Sequence, residues 1–148
     1  MSGAHLLLGS ALLGVLLPGC GFLKAGTWED DPKNWQRAFD APLPPDVVVV
    51  HSKYWRSPHW THECAYSFEV EATGAVREHL FDWANLARAS PKDVAEWKAD
   101  LGPESPAWFC PKPLASYEAW TFAQEPKGHF KLLVDPETGH LFLNDYQL

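Results

Sequence analysis

Runs of hydrophobic residues predict five β-strands in this chain. Residues 47–50 are four consecutive valines, a run typical of a strand that is covered on both faces and lies centrally in a sheet. Residues 61–71 alternate instead, with Phe68 on an apolar face and Glu69 on a solvated one. Three further β-rich runs follow, at residues 117–123, 129–134 and 141–146. Turn sequences containing proline and glycine join these three, so we expect them to form a meander.

Helical periodicity predicts two helices between the second and third strands and a short one before the first. Apolar residues recur at helical spacing over residues 73–88 and again over residues 90–101, where Ser90 begins a capping sequence. The short helix is predicted around Trp35 and Phe39. The order β-β-α-α-β-β-β indicates an α+β domain, with a mainly antiparallel sheet of about five strands and two or three helices.

The N-terminus has the pattern of an export signal. Residues 6–17 carry no charge and are followed by Pro18-Gly19-Cys20. The run is shorter than the ~20 residues that cross the hydrocarbon core, so an export signal is favoured over a retained anchor. Leu17-Pro18-Gly19-Cys20 resembles the lipobox of bacterial lipoproteins. A plain secretory signal is the other alternative.

The resemblance to lipoproteins implies an organisation and a location. It divides the chain into a signal peptide at residues 1–19, a lipidated tether with the short helix at 20–45, and a single α+β domain at 46–148. Cys20 would carry the lipid, including palmitate, and the lipid would hold the protein on a membrane facing the periplasm or the outside. Because Gly21 rather than aspartate follows the cysteine, the resemblance favours the outer membrane.

Charge and cysteine content narrow the classes of partner. All 12 basic and 19 acidic residues follow residue 20, so the mature chain carries the whole net charge of −7. An acidic domain is repelled by nucleic acid, whereas a protein partner in the cell envelope is compatible with it. Cys64 and Cys110 form an even pair in an oxidising compartment, which predicts a disulfide. The alternative is two buried thiols.

Residues 51–64 concentrate histidine, cysteine and glutamate, which makes a metal site worth testing. The candidate ligands are His51, His62 and Cys64. Their order does not match the motifs of zinc peptidases, and alternation directs Glu63 away from His62 and Cys64. We therefore predict no metal and no cofactor, and these three residues remain weak candidates.

No motif predicts a catalytic residue. The chain has no Gly-x-Ser-x-Gly sequence, no phosphate-binding loop and no dinucleotide fingerprint. Glu69 and Glu71 share one face of a predicted strand, as solvated carboxylates do, and Cys64 shares an apolar face with Phe68. The sequence therefore favours a protein that is not an enzyme, and an unrecognised hydrolase is kept as an alternative.

Aromatic residues predict a binding surface between the first two strands. The residues that we expect to form it, in a loop after the valine run, are Tyr54, Trp55, Arg56, His59 and Trp60. Tryptophan, tyrosine and arginine are the residue types that dominate binding hot spots. The alternative for the same residues is a structural loop that packs against the domain. The leading hypothesis is thus a non-enzymatic envelope module, such as an inhibitor, an immunity-type protein or an accessory protein. The alternative is a ligand- or metal-binding periplasmic protein that uses residues 51–64.

Overall fold

A computed structural model of the protein describes residues 24–58, 63–74, 77, 85–100, 105–124 and 129–147. The regular elements, in chain order, are strand β1 (Gly26–Glu29), helix α1 (Asn34–Phe39), strands β2 (Val47–Arg56), β3 (Cys64–Ala72) and β4 (Leu86–Arg88), helix α2 (Pro91–Asp100), and strands β5 (Glu118–Phe122), β6 (Lys131–Val134) and β7 (Leu141–Gln147). Within the described residues, no helix is long and apolar enough to cross a membrane.

The described strands form one antiparallel sheet in the order β1-β2-β3-β7-β6-β5-β4. The predicted class, a mainly antiparallel sheet with few helices, is confirmed, but the predicted count of about five strands is too low, because the sheet has seven. The two additional strands, β1 and β4, are its edges and have four and three residues. Strands this short carry too few residues to show an alternating pattern.

Alternation along the strands gives the sheet two faces, each with its own hydrophobic core. The first face carries Tyr66, Phe68 and Val70 of β3, and Trp35 and Phe39 of α1 cover it. The second face is covered by α2 and by the segment that follows it, through the residues Trp97, Phe109, Leu133 and Phe142. Apolar groups from helices or loops therefore bury both sides of the central strands.

Strand β2 differs from its prediction in length and in burial. It continues to Arg56 and pairs with β3, with a bulge between Val49 and His51. Val48 is 58% exposed, so the expectation that all four valines are covered on both faces is wrong. The reason is that β2 lies beside the edge strand β1, whereas the described cover of the second face lies over β5, β6 and β7.

The region predicted as a helix over residues 73–88 ends in a strand. Leu86–Arg88 is β4, which pairs with β5, while residues 75–76 and 78–84 lie outside the described part of the chain. The next predicted helix is confirmed as α2. Its capping is also confirmed, because the Ser90 hydroxyl donates to the Asp93 carboxylate over 2.6 Å and accepts the Asp93 amide over 3.3 Å.

The cysteines Cys64 and Cys110 are both free thiols, so the predicted disulfide is wrong. Cys64 packs against the first-face core, whereas Cys110 packs against the second-face core. The sheet therefore lies between the two sulfur atoms, which is why these two cysteines do not form a disulfide. Burial raises the pKa of both thiols, which disfavours the reactive thiolate.

Candidate functional site

The predicted binding surface at Tyr54, Trp55, Arg56, His59 and Trp60 does not form one loop. Because β2 continues through Arg56, the first three of these residues are strand residues on alternating faces. Tyr54 is 4% exposed and belongs to the first-face core. Trp55 and Arg56 are half-buried and lie on opposite faces, so they cannot contact one ligand side by side. His59 and Trp60 lie outside the described residues.

The candidate metal ligands His51, His62 and Cys64 are not brought together. His51 lies on the second face and Cys64 on the first, and His62 lies outside the described residues. In the described ranges, no group of three His, Cys, Asp or Glu side chains is placed to hold a metal ion. His51 instead stacks on Trp108, with ring centroids 5.3 Å apart, and its Nδ1 atom lies 3.4 Å from the Asp30 carboxylate.

A polar cluster that the sequence did not reveal lies on the second face, where β7 begins. The Nδ1 atom of His140 lies 2.7 Å from Oε1 of Glu69, and its Nε2 atom lies 3.2 Å from Oε1 of Glu71. Both ring nitrogens therefore contact a carboxylate.

Strand pairing and a tight turn bring these three side chains together. Glu69 and Glu71 are two positions apart in β3 and so share a face, while His140 directly precedes β7, the neighbour of β3. In the turn before it, the Gly139 amide donates to the Asp135 carbonyl over 2.8 Å. Gly139 has a φ of 77°, a conformation that glycine adopts without strain. The turn thus fixes the position from which the imidazole projects.

Lys112 ties this turn to the segment that covers the second face. Its ammonium group lies 2.8 Å from the Asp135 carboxylate and 2.6 Å from that of Glu137. The hydrogen bond from Lys112 is the main reason that the pKa of Asp135 falls from 3.8 to about 2. The same bonds raise the pKa of Lys112.

The two glutamates differ in their access to solvent. The Glu69 side chain is 14% exposed, whereas that of Glu71 is 56% exposed. The charge of Glu69 also contributes to the raised pKa of Cys110, after the larger effect of burial. The prediction that both glutamates are solvated is therefore right for Glu71 and wrong for Glu69. The Glu69 carboxylate instead contacts the His140 ring.

Glu71 and His140 line an open cleft of about 510 Å³. Its walls come from the start of β2, the end of β3 and the turn before β7, and its described lining residues are Asp46, Val48, Glu71, Ala72, Thr73, Gly74, Arg77, Thr138, Gly139 and His140. Arg77 lies against the turn, with its Nη1 atom 4.0 Å from the point that a Cβ on Gly139 would occupy. The cleft therefore presents two carboxylates, one guanidinium and the apolar side chain of Val48.

A second polar group crosses the sheet but is not open to a ligand. Lys53, Ser67, Asn144 and Lys131 occupy paired positions on four neighbouring strands of the second face. Asn144 donates to the Ser67 hydroxyl over 3.1 Å, and Lys131 is 1% exposed with its ammonium 5.5 Å from the centre of the Tyr146 ring. These side chains are mostly buried, so we assign them to the packing of the sheet.

Beside the Arg77 guanidinium, the cleft next to His140 presents carboxylate oxygens that suit a cationic group. The ring contacts one oxygen of Glu71, and the other oxygen can accept a hydrogen bond from a ligand. Asp46 adds a second carboxylate to the same cleft. Ammonium and guanidinium groups form the strongest hydrogen bonds to such oxygens. Comparison of the chain with protein-family models, curated proteins and solved structures gave no match.

Proposed function

We propose that this chain is a lipoprotein of the bacterial cell envelope and that its folded domain is a non-enzymatic binding module for an envelope protein. The lipobox Leu17-Pro18-Gly19-Cys20 supports a lipid on Cys20. The first described strand begins at Gly26, so a tether of few residues would join that lipid to the sheet. The domain would then work close to the membrane surface, in the periplasm or outside, with the outer membrane favoured.

The observation that carries the binding function is the arrangement of carboxylates around His140. The partly buried Glu69 contacts one nitrogen of the ring, and the other nitrogen lies 3.2 Å from the Glu71 carboxylate. The acceptor in the cleft is thus positioned before a ligand arrives, which reduces the freedom lost on binding. The partner group that matches it is a basic side chain, a lysine or an arginine.

The charge of the whole chain favours the same kind of partner. With 19 acidic and 12 basic residues, the net charge is −7. Such a protein attracts a basic partner before contact and repels nucleic acid or an anionic lipid surface. The local chemistry of the cleft and the long-range electrostatic field of the protein therefore both favour a positively charged partner.

The test is the binding of a lysine-rich synthetic peptide to the full-length protein in detergent, measured by fluorescence anisotropy at fixed ionic strength. Glu71→Gln should weaken binding about tenfold, or about 1.4 kcal/mol, because it removes one of the two accepting charges in the cleft, the one held beside His140. Glu29→Gln is the matched control, since its carboxylate is 72% exposed on β1 and lies outside the cleft. A distant exposed charge is screened by salt and should change affinity by less than about twofold.

Two results would contradict the assignment of the cleft. Equal weakening by Glu71→Gln and Glu29→Gln would mean that the peptide is attracted only by net charge. Undiminished binding of a peptide whose lysines are acetylated would mean that the ligand needs no cation. The first result would remove the cleft from the proposed function, and the second would remove the basic side chain.

A further inference from the structure

Within the described part of the chain, the outer edge of β2 is only partly covered by other backbone. β1 pairs with the last four residues of β2. Next to them, the Asp30 amide donates to the Ser52 carbonyl over 2.7 Å, and the Asp30 carboxylate accepts the Ser52 amide over 2.8 Å. Among the described strands, none pairs with the outer side of residues 48–50. An unpaired strand edge presents a row of backbone donors and acceptors to which another strand can bind.

An apolar groove of about 380 Å³ lies along this unpaired edge, towards the first face of the sheet. Trp35 of α1, Leu43 of the following loop, and Val47 and Val49 of β2 are among its lining residues. Leu43 is 41% exposed, so part of this apolar surface is open to solvent. A side chain placed here would bury apolar area on both itself and Leu43.

The groove and the cleft beside His140 meet at Val48, which lines both. Val48 pairs with Glu71 of β3, lies on the second face and is 58% exposed. Successive side chains of an extended chain point to opposite faces. A chain lying along the edge of β2 would therefore direct its side chains alternately into the apolar groove and towards the acidic cleft.

We propose that the partner of the cleft is an extended peptide segment that adds to β2 as a further strand along residues 48–50. This inference rests on the proposed function of the cleft. Apolar side chains of the segment enter the groove, and a basic side chain passes over Val48 to Glu71. Neighbouring strands lie about 4.8 Å apart, so β3 is about 10 Å from the added strand. The combined length of a lysine or arginine side chain and the Glu71 side chain is enough to span that distance.

Charge at both ends of the unpaired edge favours a basic segment over a neutral one. Asp46 directly precedes β2 at one end, Asp30 lies beside Ser52 at the other, and both aspartates are exposed. The bulge between Val49 and His51 bends the strand at this point, which limits the added strand to a few residues. So short a backbone pairing needs the apolar and charged side-chain contacts for its affinity.

The probe is a short synthetic peptide in which lysine and valine alternate, and its control has the same side chains with every backbone amide N-methylated, so that neither edge of the peptide can donate. N-methylation removes the donors that strand pairing needs, so the control should bind the full-length protein at least about tenfold more weakly. Leu43→Asn, a change of similar volume at an exposed position, should weaken the alternating peptide by removing apolar contact. Both effects are measured by fluorescence anisotropy.

Each outcome separates strand addition from the function of the cleft. Equal binding of the N-methylated and unmodified peptides would overturn strand addition and leave the cleft assignment intact. Loss of binding on N-methylation with no effect of Glu71→Gln would overturn the cleft assignment and the reach of the basic side chain. A dimer in sedimentation that Leu43→Asn dissociates would assign the edge to a second copy of this chain and would also overturn the proposal.

Discussion

At the scale of single residues, His140 depends on partners that are distant in sequence. It contacts Glu69, which lies 71 positions earlier. The alternation of β3 was sufficient to predict that Glu69 and Glu71 share a face, and the turn sequence at residues 135–139 was sufficient to place His140 at the start of the last strand. What joins them is the pairing of β3 with β7, which no local pattern contains.

The aromatic residues after the valine run were misplaced for a different physical reason. Their composition indicates a binding loop, but composition does not report which backbone conformation a segment adopts. Strict alternation counted from Val49 would place Tyr54 on the second face, but the bulge between Val49 and His51 shifts the register. Ser52 and Tyr54 therefore lie on the first face and Trp55 on the second. Tyr54 is accordingly a core residue, which neither residue type nor simple alternation predicts.

We expect the Asp135→Asn variant to lose less stability on acidification than the wild type. The pKa of Asp135 is lowered from 3.8 to about 2 in the folded protein, so its contribution is complete above about pH 4 and is lost as the pH falls through about 2. The variant should melt at a lower temperature than the wild type at pH 7. It should also lose less of its melting temperature between pH 4 and pH 2.

Lys112→Met provides the control for this prediction, because the Lys112 ammonium is the main cause of the lowered pKa of Asp135. Without that ammonium the folded carboxylate should protonate at a pH closer to that of the unfolded chain, so this variant, like Asp135→Asn, should lose less melting temperature on acidification than the wild type. Thermal melts from pH 7 to pH 2 measure all three proteins. If Asp135→Asn and the wild type lose melting temperature in parallel, the Lys112–Asp135 pair does not contribute in the manner described.

At the scale of elements, the five predicted strands are the central ones and the two missed strands are the edges. A central strand has a neighbouring strand on each side, and its order of apolar and polar residues indicates which of its faces are buried. β1 and β4 pair on one side only, and their few residues record little. The helix α1 has six residues and would be marginal by itself, so its stability depends on packing against the sheet.

Truncation of Trp35 tests this dependence directly. Trp35 is 5% exposed, and its ring centroid lies 4.5 Å from that of Phe39 and 5.6 Å from that of Phe68. Trp35→Ala should lower the free energy of unfolding by about 3–5 kcal/mol, because it leaves a cavity between α1 and the sheet. Gln36→Ala, at the next and exposed position of α1, should change it by less than about 0.5 kcal/mol. Urea unfolding of both variants gives the comparison, and similar values for the two would mean that α1 does not share the first-face core.

At the scale of the whole molecule, the strand order decides what the sheet separates and what it joins. The meander from β5 to β7 was predictable from its turns, but its attachment to β3 places the last strand in the middle of the sheet. That attachment brings the turn before β7 to the end of β3, where the cleft forms. It also leaves two cores on opposite faces, which keeps Cys64 and Cys110 apart.

The anchoring of the whole molecule is tested by Cys20→Ala. If the lipobox is processed, Cys20 carries the lipid, and each methylene of a membrane-buried chain contributes about 0.8 kcal/mol to anchoring. The variant should therefore lose radiolabelled palmitate and leave the membrane fraction. Cys64→Ala is the matched control, because it removes a free thiol of the sheet, and it should keep both label and fractionation. A Cys20→Ala protein that is labelled and membrane-bound as before would contradict lipidation at this residue. A Cys20→Ala protein that lacks the label but stays in the membrane would show that residues 1–19 are retained as an anchor. Without the lipid, the uncleaved hydrophobic run is the proposed segment that can hold the chain in the membrane.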